Sequence, residues 1–274
     1  MSAPASNGIA YRVGGQGAPV LLIHGIGRSR ADWQAQHELL EGSFRVWSVD
    51  LPGFGDSPAP DGGMTLERLA DDVAGFLRAQ GTAPVHVVGN SLGGAVAMQL
   101  TADHPELVRS LLLADSAGFG RGVSPALRLA SIPGLGERAM RPSREGARRS
   151  EGAMYHDPAF VTEERVQHGY ELAGRPGGTD AFLGMLRSLG GVAGVKSGWR
   201  RALLPRVRAT GVPVLIVWGE KDTVLPLRHM ARGAKALGAR THRFEETGHG
   251  PQIERAEDFA HLAREFWNEV DHRG

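Results

Sequence analysis

One stretch constrains this chain more than any other: Pro84-Val85-His86-Val87-Val88-Gly89-Asn90-Ser91-Leu92-Gly93-Gly94-Ala95-Val96-Ala97-Met98-Gln99-Leu100. A valine-rich run ends in Gly-x-Ser-x-Gly, and small and apolar residues at helical spacing follow. That pattern predicts a buried strand, a very tight turn and a helix, with Ser91 at the turn. Gly89 and Gly93 lack a Cβ, so strand and helix can approach closely enough for the reversal. The turn lifts the Ser91 hydroxyl above the sheet, beside the positive end of the following helix. A chain with 39 glycines produces such a pentapeptide by chance as well. The strand before it and the apolar helix after it set this one apart.

A length of 274 residues suits one large domain with an insertion. With 31 basic against 30 acidic side chains, nothing points to nucleic acid or an anionic membrane as partner. The chain has no cysteine, which excludes disulfides, thiolate metal sites and a thiol nucleophile. Its first twenty residues lack the charged start and apolar centre of a signal peptide, and no apolar run approaches membrane-spanning length. A soluble cytoplasmic protein, monomer or homodimer, is expected.

Further strands are predicted at Ile9 to Val13 (a weak edge strand), Val20 to Ile23, Val46 to Val49, Val108 to Ala114, Val212 to Trp218 and Thr241 to Phe244. Helices are predicted from near Ser29, from Thr65 to about Gln80, and over Leu227 to Leu237 and Phe259 to Val270. Strands alternating with helices require parallel crossovers, hence an α/β fold with helices on both faces of the sheet. Ligands in such sheets gather at the carboxyl ends of the strands. His24, Asp50, Ser91, Asp115, Asp222 and His249 all fall just past predicted strand ends.

Between about Gly118 and Arg208 the buried β-branched runs stop. This segment reads as a helical cap over the carboxyl edge, with short helices at Pro125 to Ser131 and Ala181 to Leu189. The predicted division is therefore a core of residues 1–117 and 209–274 and a cap of 118–208. The cap holds 15 basic and 8 acidic side chains. A solvated basic surface is the ordinary reading of that excess, and an anionic substrate drawn under the cap is the sharper one.

A serine hydroxyl needs a neighbouring base to become a nucleophile. Of the eleven histidines, only His249 lies in a glycine-flanked loop directly after the last strand. The imidazole in turn needs a carboxylate on its other nitrogen. Asp222, at the end of the preceding strand, is preferred, and Asp115 is its rival. Asp50 and Asp56 read as turn-bracing residues, and His24 as a brace for its loop. A tetrahedral intermediate also needs two fixed donors for its negative oxygen. The Leu92 N–H at the helix start is one, and the His24-Gly25-Ile26-Gly27 turn offers Ile26 N–H as the other.

With these pieces assembled, the chain resembles the α/β-hydrolase family over nearly its whole length. The residues that carry the resemblance are His24-Gly25, Asp50-Leu51-Pro52-Gly53-Phe54-Gly55-Asp56-Ser57, Gly89-Asn90-Ser91-Leu92-Gly93-Gly94, Trp218-Gly219-Glu220-Lys221-Asp222 and Gly248-His249. Their order, Ser then Asp then His, is the family's. The resemblance implies a mostly parallel eight-stranded sheet, with the cap inserted between its sixth and seventh strands. Dehalogenases and epoxide hydrolases of this fold are similar but carry Asp where this chain has Ser91.

The expected activity is cofactor-independent, metal-free hydrolysis of a small-molecule carboxylic ester. The resemblance leaves alternatives open. Gly-Asn-Ser-x-Gly-Gly is similar to the carbon–carbon bond hydrolases of aromatic ring-fission products, and Arg187 in the cap is a candidate for holding a substrate carboxylate. Those relatives place Trp directly after the catalytic histidine, where this chain has Gly250. A cofactor-free perhydrolase and a non-catalytic small-molecule receptor are the remaining readings. Met140, Met154, Phe160, Phe182, Met185, Leu186 and Trp199 are candidate apolar liners of the pocket, although cap core is the ordinary reading of each.

Overall fold

The computed structural model describes residues 8–60 and 63–272. The chain runs β1 (Tyr11–Gly14), β2 (Ala18–Ile23), α1 (Gln34–Leu40), β3 (Phe44–Val49), α2 (Leu66–Gln80), β4 (Val85–Asn90), α3 (Leu92–Asp103) and β5 (Val108–Ala114). Helices α4 (Pro125–Ala130), α5 (Leu135–Ala139), α6 (Arg144–Met154), α7 (Glu163–Gly174) and α8 (Gly178–Leu189) follow. A two-residue hairpin, β6 (Gly190–Gly191) and β7 (Gly194–Val195), then leads into α9 (Ser197–Ala209). The chain returns to the sheet with β8 (Val214–Gly219), α10 (Arg228–Leu237) and β9 (Arg240–Phe244), and closes with α11 (Pro251–Glu254) and α12 (Ala256–Asp271).

The main sheet has the order β1-β3-β2-β4-β5-β8-β9, parallel except for β1, which pairs antiparallel with β3. It contains seven strands among the described residues, not eight. At one edge the weakly alternating segment forms only the four-residue β1, and at the other the mostly exposed β9 passes straight into the His249 loop.

Period-two alternation divides the central strands between two layers. Leu21, Ile23, Val85, Val87, Leu111, Leu113, Ile216 and Trp218 face a core built with α2, α3, α9 and α10. Val20, Leu22, Val88, Leu112, Ala114, Leu215 and Val217 face a second core closed by Leu40 of α1 and by Phe259, Ala263 and Trp267 of α12. Helix α2 starts where Thr65 Oγ1 accepts the Arg68 N–H at 3.2 Å and stops at the left-handed Gly81. Helix α3 is buried from Leu92 to Thr101, consistent with its nearly uniform apolar and small composition. In the insertion, α9 belongs to the core, because its Leu203 and Val207 join the α3 layer. No helix of the described residues is long and apolar enough to cross a membrane.

Two buried histidines make the fold acid-sensitive. His86, within β4, lies 2.8 Å from Ser110 Oγ and stacks on Trp267, and burial pushes its pKa down to about 4. Burial, reinforced by Arg228 and Arg232, holds His229 at about 4 as well. In the unfolded chain both titrate near pH ~6.5. Below that value the unfolded chain takes up protons that the folded protein refuses. Their contribution is therefore complete above about pH 7, falls as pH drops from ~6.5 towards ~4, and levels off below. The urea midpoint should decline across that window. A constant midpoint between about pH 7 and 5 would contradict the burial of these neutral rings.

Candidate active site

Strand β4 and helix α3 meet at Ser91 with almost no connecting chain. Ser91 adopts φ 54° and ψ −115°, left-handed backbone that costs a non-glycine residue roughly 1–3 kcal/mol. Close packing enforces the turn. A Cβ on Gly89 would lie 2.3 Å from the Gly93 carbonyl oxygen, and one on Gly93 would lie 2.2 Å from that of Ile23. The serine itself is 8% exposed.

His249 sits in the loop after β9, with its ring 2% exposed. Its Nδ1 lies 2.8 Å from Asp222 Oδ2. An ionised carboxylate can only accept, so Nδ1 carries the proton and Nε2 presents its lone pair. Nε2 is buried and has no hydrogen-bond partner among the described residues. The loop is fastened beside the serine, because Asn90 Nδ2 donates to the His249 carbonyl at 3.1 Å. Asp222 is fixed in turn, its Oδ1 accepting from the Val224 and Leu225 N–H groups at 2.7 and 2.9 Å.

Asp115 lies next to this pair. One oxygen each from Asp115 and Asp222 and one ring nitrogen of His249 fall within 4.8 Å of one another. Asp115 does not take the imidazole bond; its Oδ1 accepts from Gly219 N–H at 2.9 Å instead. Burial, and then the Asp222 charge, push its carboxyl well above the usual range. The spacing of the three would suit a cation, but the imidazole is already bonded to Asp222 and Asp115 to the Gly219 N–H. All three non-glycine residues with positive φ among the described residues, Ser91, Asp115 and Glu246, flank this site.

The turn after β2 comes down on the serine. A Cβ on Gly25 would lie 3.2 Å from Ser91 Cβ, so the Gly25 backbone passes close to the serine side chain. His24 braces that turn. Its Nε2 accepts from Leu51 N–H at 2.9 Å and its Nδ1 lies 2.7 Å from the Gly25 carbonyl, the neutral tautomer that burial favours by lowering its pKa. Leu92 is the first residue of α3, and a first-turn N–H has no partner within its helix. Ile26 packs at the border of the main core. Asp50 is a loop brace, its carboxylate receiving the Arg30 and Asp56 N–H groups at 2.6 and 2.8 Å.

Of the candidate liners, Phe182 reaches this turn: its ring lies 2.8 Å from where a Cβ on Gly27 would be. Met154 contributes its backbone, because its carbonyl accepts the His249 N–H at 2.7 Å. Met185 is fully buried in the core. Trp199 donates its indole N–H to the Leu189 carbonyl at 3.1 Å and packs near Gly118, and the Met140 carbonyl accepts from Thr179 Oγ1 at 3.4 Å. Arg187, expected to meet a substrate carboxylate, is instead engaged within the insertion. It pairs with Glu137 at 2.8 Å and donates to the Ser131 carbonyl at 3.1 Å.

Two arrangements escaped the sequence. Glu254 accepts from Gly248 N–H at 2.6 Å with one oxygen, and from His156 and Asp157 N–H at 2.9 and 3.0 Å with the other, clamping the His249 loop to the end of α6. Arg28, next to the 25–27 turn, donates twice to Asp32 at 2.8 Å and also to Glu151 of α6. Burial opposes the charge on both Arg28 and Asp32, but their mutual attraction outweighs it. Arg28 is held well above its usual value and Asp32 below its own. No sequence signal marks these contacts, since Glu151 lies 123 positions from Arg28.

A parallel sheet, a strained serine at a strand-to-helix turn and a carboxylate-bound imidazole together define a class of enzyme folds. The profile of the alpha/beta hydrolase fold family matches residues 18–256, and the chain belongs to that family. It is 32% identical over 92% of its length to the dihydrolipoyllysine-residue acetyltransferase component of the acetoin cleaving system of Cupriavidus necator. It spans only 64% of that relative. It is 33% identical to 2-hydroxymuconate semialdehyde hydrolase of Pseudomonas putida, over 94% of this chain and 89% of that one. A meta-cleavage product hydrolase from Pseudomonas fluorescens IP01 superposes with a TM-score of 0.81 at 27% identity, with 98% of each chain covered.

Proposed function

We propose that this protein is a serine hydrolase that cleaves small carboxylic esters through an acyl-enzyme. The observation that carries the reading is His249, whose buried ring bonds Asp222 through Nδ1 while its Nε2 lacks a partner beside the Asn90–Ser91 turn. In this mechanism Ser91 Oγ attacks the ester carbonyl as its proton passes to His249 Nε2. The Asp222 carboxylate steadies the imidazolium, and the Ile26 and Leu92 N–H groups receive the carbonyl oxygen as it becomes negative. Collapse expels the alcohol, which takes the proton from His249. Water then gives a proton to the same nitrogen as it attacks the acyl carbon, and collapse releases the carboxylic acid while that proton returns to Ser91 Oγ. Residues 118–208 serve as the cap, anchored to the core by α9, with Phe182 against the 25–27 turn as its inner wall.

Carbon–carbon bond hydrolysis of a ring-fission dienoate is the second reading, favoured by the similarity to the muconate semialdehyde and meta-cleavage product hydrolases. The pairing of Arg187 with Glu137 and the presence of Gly250 after His249 count against it. Measuring kcat/KM on p-nitrophenyl esters of increasing acyl length and on a 6-oxo-dienoate separates the two. Esters are expected to be the better substrates; a clear preference for the dienoate would overturn the ester assignment.

A further inference from the structure

Four of the insertion's fifteen basic side chains meet Arg232 of α10 at one place. A cavity of about 800 Å³ opens between the β6–β7 hairpin, the start of α9 and α10. Arg121, Arg200, Arg201 and Arg232 line it, together with Lys196, and no acidic residue does. Among the described residues none of those four arginines pairs with a carboxylate. Their recorded hydrogen bonds are to backbone carbonyls: Arg121 Nε to Ala193 at 2.7 Å and Arg200 Nε to Lys196 at 3.0 Å. Lys196 is already committed, its ammonium donating to the Arg187 and Ser188 carbonyls at the end of α8. Burial, and then Arg201 and Arg232, depress the Arg200 pKa, the mark of like charges held together without a counter-ion.

A buried polar group lies behind the cavity wall rather than in it. His229 is 1% exposed, and neither ring nitrogen has a hydrogen-bond partner. The ring abuts the wall at Gly120, where a Cβ would lie 2.0 Å from Nε2. Phe119, Val192 and Val195 supply an apolar side.

From this juxtaposition we infer that the cavity is a binding site for a small organic polyanion bearing phosphate groups, apart from the Ser91 centre. Guanidinium groups are matched to phosphate oxygens by their planar paired donors, and several unpaired ones around one hollow require a ligand with more than one negative charge. The volume falls in the range of small-molecule sites rather than of the extended surfaces that nucleic acids or membranes use. An apolar portion of the ligand would rest on Val192 and Val195. None of the lining residues belongs to the proposed hydrolytic machinery, so this inference stands whether or not esters are the substrate.

Titration calorimetry of the whole protein at about 0.15 M salt, a level that screens diffuse attraction, tests it with inorganic triphosphate and ATP as probes. Saturable 1:1 binding is expected. Reversing two exposed charges, Arg201→Glu with Arg232→Glu, should weaken it about tenfold or more, whereas Arg141→Glu, an exposed arginine outside the cavity, should change it less than about twofold. Thermal melting of each variant checks that it is folded. Absence of saturable binding to either probe would overturn the site, as would an equal loss in the Arg141 variant. Citrate binding as tight as triphosphate would overturn the phosphate assignment. Binding only to phosphatidylserine vesicles or to duplex DNA would replace the small ligand with a surface.

Discussion

Ser91→Ala is expected to lower turnover about 10⁴- to 10⁶-fold while leaving the protein folded. The side chain removed is small, and the Gly89 and Gly93 contacts that force the turn are backbone contacts, so the strained conformation persists without the hydroxyl. What disappears is the atom that accepts the acyl group. His249, with its second nitrogen unpartnered, then has only water to activate. Asp222→Asn should follow with a loss of order 10⁴, because an amide facing Nδ1 favours the other tautomer and withdraws the lone pair from Nε2. Asp115→Asn should cost far less, since the imidazole bonds Asp222 instead and the Asp115 acceptor bond to Gly219 survives in the amide. Steady-state kinetics on the preferred p-nitrophenyl ester, with melting curves alongside, reads all three. Near-normal hydrolysis by the Ser91 variant would remove that residue from the chemistry, and equal losses at both aspartates would break the division of labour between them.

Arg28→Ala is expected to produce the largest loss of stability, about 3–5 kcal/mol. The Arg28, Asp32 and Glu151 side chains are 10%, 4% and 1% exposed, and Arg28 bridges the two carboxylates. Truncating it strands two negative groups in a site that water scarcely reaches. Coulombic energy alone does not make such a cluster valuable; desolvating three ions offsets much of it, and the penalty arises when one member is removed. Urea unfolding should therefore show Arg28→Ala well below Glu151→Gln, which keeps a polar acceptor towards Arg28. A loss under about 1 kcal/mol for Arg28→Ala would mean the cluster is better hydrated than its burial indicates.

How much of this was legible in the sequence depended on the distance over which each contact acts. The strands at Val20–Ile23, Val85–Val88 and Val108–Ala114 announce themselves because a strand covered on both faces must be apolar throughout. The positions of Ser91 and Asp222 were legible for a related reason, since each follows such a strand; His249 follows the exposed edge strand β9, and parallel topology brings the three ends to one edge. Helices α6 and α7 were not, because their short, charge-rich segments have few buried side chains and draw order from each other and from Arg28. Arg187 misled because a cationic side chain looks available until its partner is known, and Glu137 lies 50 positions away. Glu254 gave no signal either, as its partners are backbone N–H groups that any sequence could supply.

The bond from the His249 amide to the Met154 carbonyl has a practical corollary for anyone recombining such proteins. Exchanging residues 118–208 for the equivalent portion of a homologue, in order to broaden selectivity, also exchanges part of the scaffold that aims the imidazole. A chimera that preserves the tract 154–157 and its attachment to Glu254 should keep its rate on generic substrates. One that replaces the tract should turn over slowly on every substrate, a defect easily mistaken for poor substrate fit.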